Sequence, residues 1–281
     1  MIRAWVGERL FPRVAPRPGS ATSLAIFAAK YLVGLGAGAF FLLGGFARRR
    51  HRMLLNDVLA HFGFRPEPVE AELPTIAIGD IVPATTPVVL HEPVGRDGNV
   101  TLLELLVLAQ LVASRQPEAV FEIGTFDGRT TLNLAANTRG RVFTLDLPAA
   151  QIADTSLGLD PADTAYISKP ASGERFLGTR EASRITQVFG DSATFDFSPW
   201  HGKIDFVFID GSHSKEYVLS DTQRALRLLR PMGGIIAWHD YNSVWSGVTT
   251  ALHEIASGGL PLRWIPGTSL AILIVDDGAS P

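Results

Sequence analysis

FEIGTFDGRTT, residues 121–131, is the stretch from which the rest of the chain is read. Gly124 and Gly128 sit where an apolar, strand-like run, Ala119 to Ile123, passes into a helix-forming stretch, Arg129 to Asn137. Glycine takes backbone shapes that a side chain forbids, so the pair predicts a tight strand-to-helix turn. A helix starting near Arg129 would aim free N–H groups at any anion beyond the strand. Twenty-four residues after Glu122 a second apolar run, Arg141 to Leu145, ends in Asp146, placed to accept hydrogen bonds from ribose hydroxyls. The GxxxG spacing differs from the dinucleotide pattern GxGxxG, in which the pyrophosphate needs a third close glycine. The plainer alternative is an ordinary turn with a solvated Asp146.

Working outward, apolar runs alternate with helical stretches. Ile185 to Phe189, Ile204 to Ile209 and Gly234 to Trp238 continue the strands, and Gly173 to Ser183, Lys215 to Leu229 and Val244 to Ala256 the helices. Unbroken apolar strands, each followed by a helix, predict a parallel sheet covered on both faces. Leu262 to Ile265 and Leu270 to Val275, joined by a Pro-Gly turn, predict a closing antiparallel hairpin. The expected fold is a doubly wound, mostly parallel α/β sheet of seven strands. Ahead of it, Thr101 with Glu104 makes a capping-box pattern before the apolar helix TLLELLVLAQLVAS. The stretch Ala149 to Arg184 is long for a strand connection; on the ligand edge it makes a lid or acceptor wall, with Tyr166, Phe176 and Arg180 as contacts, or a solvated loop.

The 281 residues are 46% hydrophobic and 19% charged, which excludes collagen-like, disordered and repeat-array classes. With no cysteine there is no disulfide framework, thiolate metal site or cysteine nucleophile. Charge is unevenly placed: up to Arg52 there are nine basic residues against Glu8 alone, and the remainder carries 16 basic and 27 acidic residues. An acidic body is a poor nucleic-acid binder, so none is expected. Leu24 to Ala47 holds one charge, Lys30, and runs into Arg48, Arg49, Arg50, His51 and Arg52. That length and flank predict attachment at the inner face of a membrane with the body in the cytoplasm, the alternative being a helix packed on protein. Gly34 and Gly38 have the spacing that lets two such helices approach, which gives a homodimer as an expectation. The expected organisation is a basic, apolar segment over 1–53, a proline-rich linker and entry loop over 54–98, with a short helix before Phe64, and the α/β domain over 99–281.

From Asn99 to Asp276 the sequence resembles the class I S-adenosylmethionine-dependent methyltransferases. FEIGTFDGRTT looks like their first motif, TLDLP like the second, FGDSATF like the adenine-contacting turn, and VFIDGSHSKEY and LLRPMGGIIAWHDY like the fourth and fifth. The last two most resemble a bacterial subgroup similar to catechol-type O-methyltransferases and cephalosporin-hydroxylase-like proteins. The resemblance implies the Rossmann-like methyltransferase fold and cofactor contacts from the loop Gly124, Thr125, Phe126, Asp127 and Gly128. It puts Glu122 and Gly124 at the methionine amino end, Thr130 near its carboxylate, Asp146 on the ribose, and Asp191 with Ser192 beside the adenine.

The resemblance also implies a divalent cation, Mg²⁺ or Mn²⁺, on Asp210, His239 and Asp240. Catechol-type enzymes have a carboxylate where His239 stands, and imidazole shifts preference toward Mn²⁺, Fe²⁺ or Zn²⁺. Without a cation, Asp210 and Asp240 would orient substrate and cofactor. His213 falls where catechol-type enzymes keep a general-base lysine; it is read either as that base, with Asp210 as its catalytic neighbour, or as part of a Ser212-His213-Ser214 helix cap. The expected activity is O-methylation of a small-molecule, sugar-like or polyketide-like acceptor. The alternatives are a metal-dependent hydroxylase-like protein of the same fold and a membrane-tethered S-adenosylmethionine-binding module without turnover. No GxSxG or GxxxxGK[ST] is present to suggest hydrolysis or Walker-type phosphate transfer.

Overall fold

Burial on both faces explains the unbroken apolar strands: β1 (Ala119–Ile123), β4 (Phe206–Ile209) and β5 (Gly234–Trp238) are covered almost throughout. In the computed structural model, which describes residues 28–36, 38–40 and 73–275, they join β2 (Arg141–Asp146), β3 (Ile185–Phe189), β6 (Arg263–Trp264) and β7 (Ala271–Val275). The seven strands make one sheet in the order β3-β2-β1-β4-β5-β7-β6. β1 to β5 pair in parallel, and β7 runs antiparallel to both β5 and β6. This is the doubly wound sheet with a closing hairpin that the sequence predicts, in the Rossmann-like methyltransferase order.

Four longer helices cover it: α1 (Leu102–Arg115), α2 (Arg129–Ala136), α3 (Lys215–Leu228) and α4 (Ser246–Ser257). Strand side chains alternate between faces. Val120, Phe206, Phe208, Ile235 and Ala237 share a core with Leu105, Leu108 and Leu111 of α1 and Leu134 of α2. On the opposite face Trp238, fully buried, donates from Nε1 to Thr222 Oγ1 of α3 at 2.9 Å. The capping box closes as expected: Thr101 N–H donates to Glu104 Oε2 at 2.7 Å and Glu104 N–H to Thr101 Oγ1 at 3.2 Å.

Of the proline-rich stretch expected as linker and entry loop, the part from residue 73 packs into the unit Ala71–Pro281. Leu73 N–H donates to Tyr241 Oη at 2.7 Å, Ile76 N–H to Trp264 O at 2.9 Å, and Val89 N–H to Asn137 Oδ1 at 2.8 Å. Proline removes donors and regular structure, yet the remaining backbone groups find partners on the edge strand and α2. The helix expected over Gly173 to Ser183 is two short 3₁₀ turns, Glu174–Phe176 and Arg180–Arg184, parted by Gly178 in the left-handed region at φ 72°.

Met1–Glu70 forms a separate unit. In it residues 28–36 and 38–40 are helical, and no helix among the described residues is long and apolar enough to cross a membrane. The rest of the 24–47 segment, the Arg48 to Arg52 block and the helix before Phe64 lie outside the described residues.

Candidate functional site

Strand order reverses direction between β1 and β4, and a crevice opens beyond the carboxyl ends at such a point. Gly124 turns the chain there at φ 100°, and a Cβ on it would lie 2.0 Å from the Asp210 carbonyl oxygen, so only glycine lets the two strand ends approach. Gly128, at φ 86°, starts α2 against Phe176, whose ring a Cβ would meet at 2.7 Å. Phe176 is therefore a buried support of the turn. Between the glycines Phe126 stands at φ 49°, a region that side chains rarely adopt, and its ring faces Tyr166 at 6.2 Å and the Arg96 guanidinium at 5.3 Å.

The acids behind this loop differ in what surrounds them. Glu122 is fully buried; its Oε2 accepts from Thr131 and, at 2.7 Å, from Thr144, while its Oε1 has no hydrogen-bond partner. Burial, partly offset by those two hydroxyls, pushes its carboxyl up to about 8. Thr144 also lies 2.7 Å from the Thr125 hydroxyl, and Thr130 is buried in the first turn of α2. Asp146 accepts from Thr125 N–H at 3.3 Å and pairs with Lys169 Nζ at 2.6 Å. Asp127, expected at the cofactor, is instead enclosed by protein donors: Asn99 Nδ2 at 2.9 Å, Arg129 N–H at 3.0 Å, and the guanidinium Nε atoms of Arg96 at 2.8 Å and Arg175 at 2.7 Å. It ties the residues before α1 and the long connection to the glycine turn. Asp191 accepts from Ser156, from Ala193 N–H at 3.0 Å and from Tyr217 Oη at 2.8 Å; burial raises it, but these bonds prevail and hold it below the usual carboxylate range. Ser192 follows it, half-buried.

Beyond β4 and β5, Asp210, His239 and Asp240 come together, each offering one ligand atom, with these atoms within 4.8 Å of one another. Adjacent parallel strands cause this, since Ile209 and Trp238 stand in register. His239 Nδ1 lies 3.1 Å from Asp210 Oδ1 and 3.0 Å from Asp240 Oδ2. Asp240 sits at φ 65°, a strained turn just past the strand. Two carboxylate oxygens and an imidazole nitrogen form a donor set that suits a divalent ion of the Mn²⁺ or Fe²⁺ kind.

His213 joins the same cluster, with Nδ1 2.5 Å from Asp163 Oδ1 and Nε2 3.0 Å from Asp240 Oδ2, its ring stacked on Trp245 at 3.7 Å. Burial would lower its affinity for a proton, but the two carboxylates outweigh burial and raise it to about 10. It is a clamped cation, with no nitrogen left to take a proton. The helix cap is Ser214, which accepts from Tyr217 N–H at 3.4 Å. Sequence reasoning missed Asp163, which also receives Ser212 Oγ at 2.6 Å, because nothing in the long connection marks it. It missed Glu104 at His239 Nε2, 3.2 Å away, because the capping box had already accounted for that acid. Of the loop residues proposed at the acceptor, Tyr166 reaches the site, lying 6.4 Å from the His213 ring and 6.2 Å from Trp245.

Residues 121–241 match the family model described as a methyltransferase domain, from β1 to the turn after β5. Over that stretch the chain is similar to a methyltransferase domain. No curated protein matches this chain. Among solved structures, the O-methyltransferase TomG from Streptomyces achromogenes, in complex with SAM and involved in tomaymycin synthesis, is 22% identical with a TM-score of 0.46, over 65% of this chain and 83% of that one. An O-methyltransferase from Bacillus cereus in complex with SAH is 20% identical, TM-score 0.46, over 64% and 84%. The SAH-bound Podospora anserina methyltransferase PaMTH1 is 17% identical, TM-score 0.45, over 65% and 81%.

Proposed function

We propose that this chain is an S-adenosylmethionine-dependent methyltransferase that moves the methyl group to a hydroxyl oxygen of a small-molecule acceptor, with a divalent cation held by Asp210, His239 and Asp240. The observation that carries the reading is the meeting of these three side chains beyond β4 and β5, beside the Gly124 turn. Two groups would serve the cofactor as well: Glu122 Oε1 is a buried oxygen without a hydrogen-bond partner, able to accept from a donor, and Asp146 at the end of β2 would exchange its Lys169 contact for ribose hydroxyls. When bound, S-adenosylmethionine supplies an electrophilic methyl on a sulfonium, and a divalent ion supplies Lewis acidity that eases loss of the acceptor's proton.

The chain's own part is positioning and charge. The glycine turn and Asp146 would hold the donor, while Tyr166 and Trp245 would wall the acceptor side, so that the sulfur–methyl bond can break as the oxygen–methyl bond forms in line, with the hydroxyl proton passing to solvent. Asp210, with 19% of its side chain exposed, is the triad carboxylate open to an incoming hydroxyl. His213 keeps its proton and fixes Asp240, a positioning role in place of the general-base role expected from its place in the sequence.

Incubating the purified chain with labelled S-adenosylmethionine and a library of hydroxylated metabolites, with and without chelator, tests the reading. Label should enter an O-methyl product, stop with chelator and return with Mn²⁺ or Mg²⁺. Asp146→Ala should weaken cofactor binding at least tenfold by calorimetry. Full turnover after exhaustive chelation would remove the cation, and unchanged binding by Asp146→Ala would remove the ribose assignment.

A further inference from the structure

We propose that Glu104, the capping-box acid of α1, is a positioning residue that sets the ring orientation and proton position of His239 and so aims Nδ1 at the Asp210–Asp240 cation site; this rests on the reading of that triad as a divalent-cation site. A helix-capping acid needs one backbone donor and ordinarily sits in water. Glu104 is 4% exposed and has four donors. Its Oε2 accepts from Thr101 N–H at 2.7 Å and from His239 Nε2 at 3.2 Å, and its Oε1 from Ser269 N–H at 2.7 Å and Ser269 Oγ at 2.8 Å. Two donors on each oxygen leave the carboxylate no freedom to rotate.

The consequence for His239 is directional. A cation held between Nδ1 and the two aspartates requires that nitrogen to be without its proton, so the ring's one proton falls on Nε2, where a carboxylate can receive it. Nε2 faces Glu104, and Nδ1 alone faces Asp210, at 3.1 Å, and Asp240, at 3.0 Å. The second arm of Glu104 reaches the other ligand, because Ser269 Oγ, donating to Glu104, accepts from the Asp240 N–H at 3.2 Å. One acid at the start of α1 thus holds two of the three ligand residues, His239 directly from 135 positions away and Asp240 through Ser269.

The test uses the full chain and Mn²⁺ alone as probe, by calorimetry. Glu104→Gln keeps the size but turns an NH₂ group toward donors on one side or the other, so Mn²⁺ affinity should fall roughly 10–100-fold, the range for lost outer partners of a metal-bound histidine. Thr101→Ala removes the cap while leaving the His239 contact, and should weaken α1 without changing Mn²⁺ affinity. Equal affinity in Glu104→Gln and wild type, or an equal loss in Thr101→Ala, overturns the proposal and leaves the cation site standing. No Mn²⁺ binding by the wild type overturns the cation reading and the proposal together. A readout independent of any variant is the imidazole ¹⁵N spectrum of the Mg²⁺-loaded wild type: a proton on His239 Nε2 supports the proposal, and one on Nδ1 overturns it.

Discussion

His213 shows how surroundings reassign a residue. At an unperturbed value near 6.5 it would be a ready base, but Asp163 and Asp240 grip both nitrogens and raise it to about 10, so it stays protonated through neutral pH. The pH–rate profile of the wild type should therefore show no inflection near 6.5 from this residue. His213→Gln should lower turnover and leave that region of the profile unchanged; an inflection near 6.5 that disappears in the variant would restore the general-base role. Glu122 is the opposite case, a carboxyl kept neutral by burial. Unfolded it ionises near 4.5 and folded only at about 8, so its neutral form is accommodated at no penalty below 4.5. As pH rises from 4.5 to about 8 the unfolded state releases this proton first, and stability should fall by roughly 1.4 kcal/mol per pH unit at most. Glu122→Gln, which mimics the neutral acid, should flatten that decline in denaturation series at pH 5, 6, 7 and 8. An unchanged slope would mean that Glu122 is ionised in the fold.

At the scale of elements, the site is the set of strand ends and what is drawn over them. β1 brings Glu122 and the glycine turn, β2 brings Asp146, β4 Asp210, and β5 His239 with Asp240. The long connection adds Asp163 against His213 and Lys169 against Asp146. The closest approach is Gly124 to the backbone of Asp210, and it decides whether the edge assembles. Gly124→Ala should destabilise the fold by roughly 2–4 kcal/mol, because the methyl meets a backbone carbonyl and the positive φ disfavours a side chain. Cofactor binding by calorimetry should be lost with it. A variant as stable as the wild type would show that the turn relaxes without disturbing β4.

For the whole molecule, the division at residues 70 and 71 separates a basic, apolar segment from the unit that holds every candidate site residue. A chain beginning at Ala71 should fold with the cooperativity of the full chain and bind S-adenosylmethionine equally well, since the described core lies within it. The full chain should pellet with membranes on cell fractionation, drawn by the 24–47 segment and the Arg48 to Arg52 block, and the shortened chain should stay in the supernatant. Full chain found in the supernatant at ordinary salt would place that segment against protein.

Periodicity and glycine placement made the seven strands, their parallel sense and the closing hairpin legible, because burial on both faces forces continuous apolar runs and the turn beyond β1 admits only glycine at Gly124. The capping box at Thr101 and the acids and imidazole that end β1, β2, β4 and β5 were legible for the same reason: each is a local pattern, fixed by residues within a few positions of one another. What each polar group does was not legible. Asp127 reads like a cofactor residue until Arg96 and Arg175 close on it, His213 reads like a base until Asp163 arrives from 50 residues away, and Glu104 reads like a cap until β5 sets His239 against it. A side chain's charge, proton and free lone pairs depend on the few ångströms around it. Those neighbours come from distant parts of the chain, so only the tertiary structure decided them.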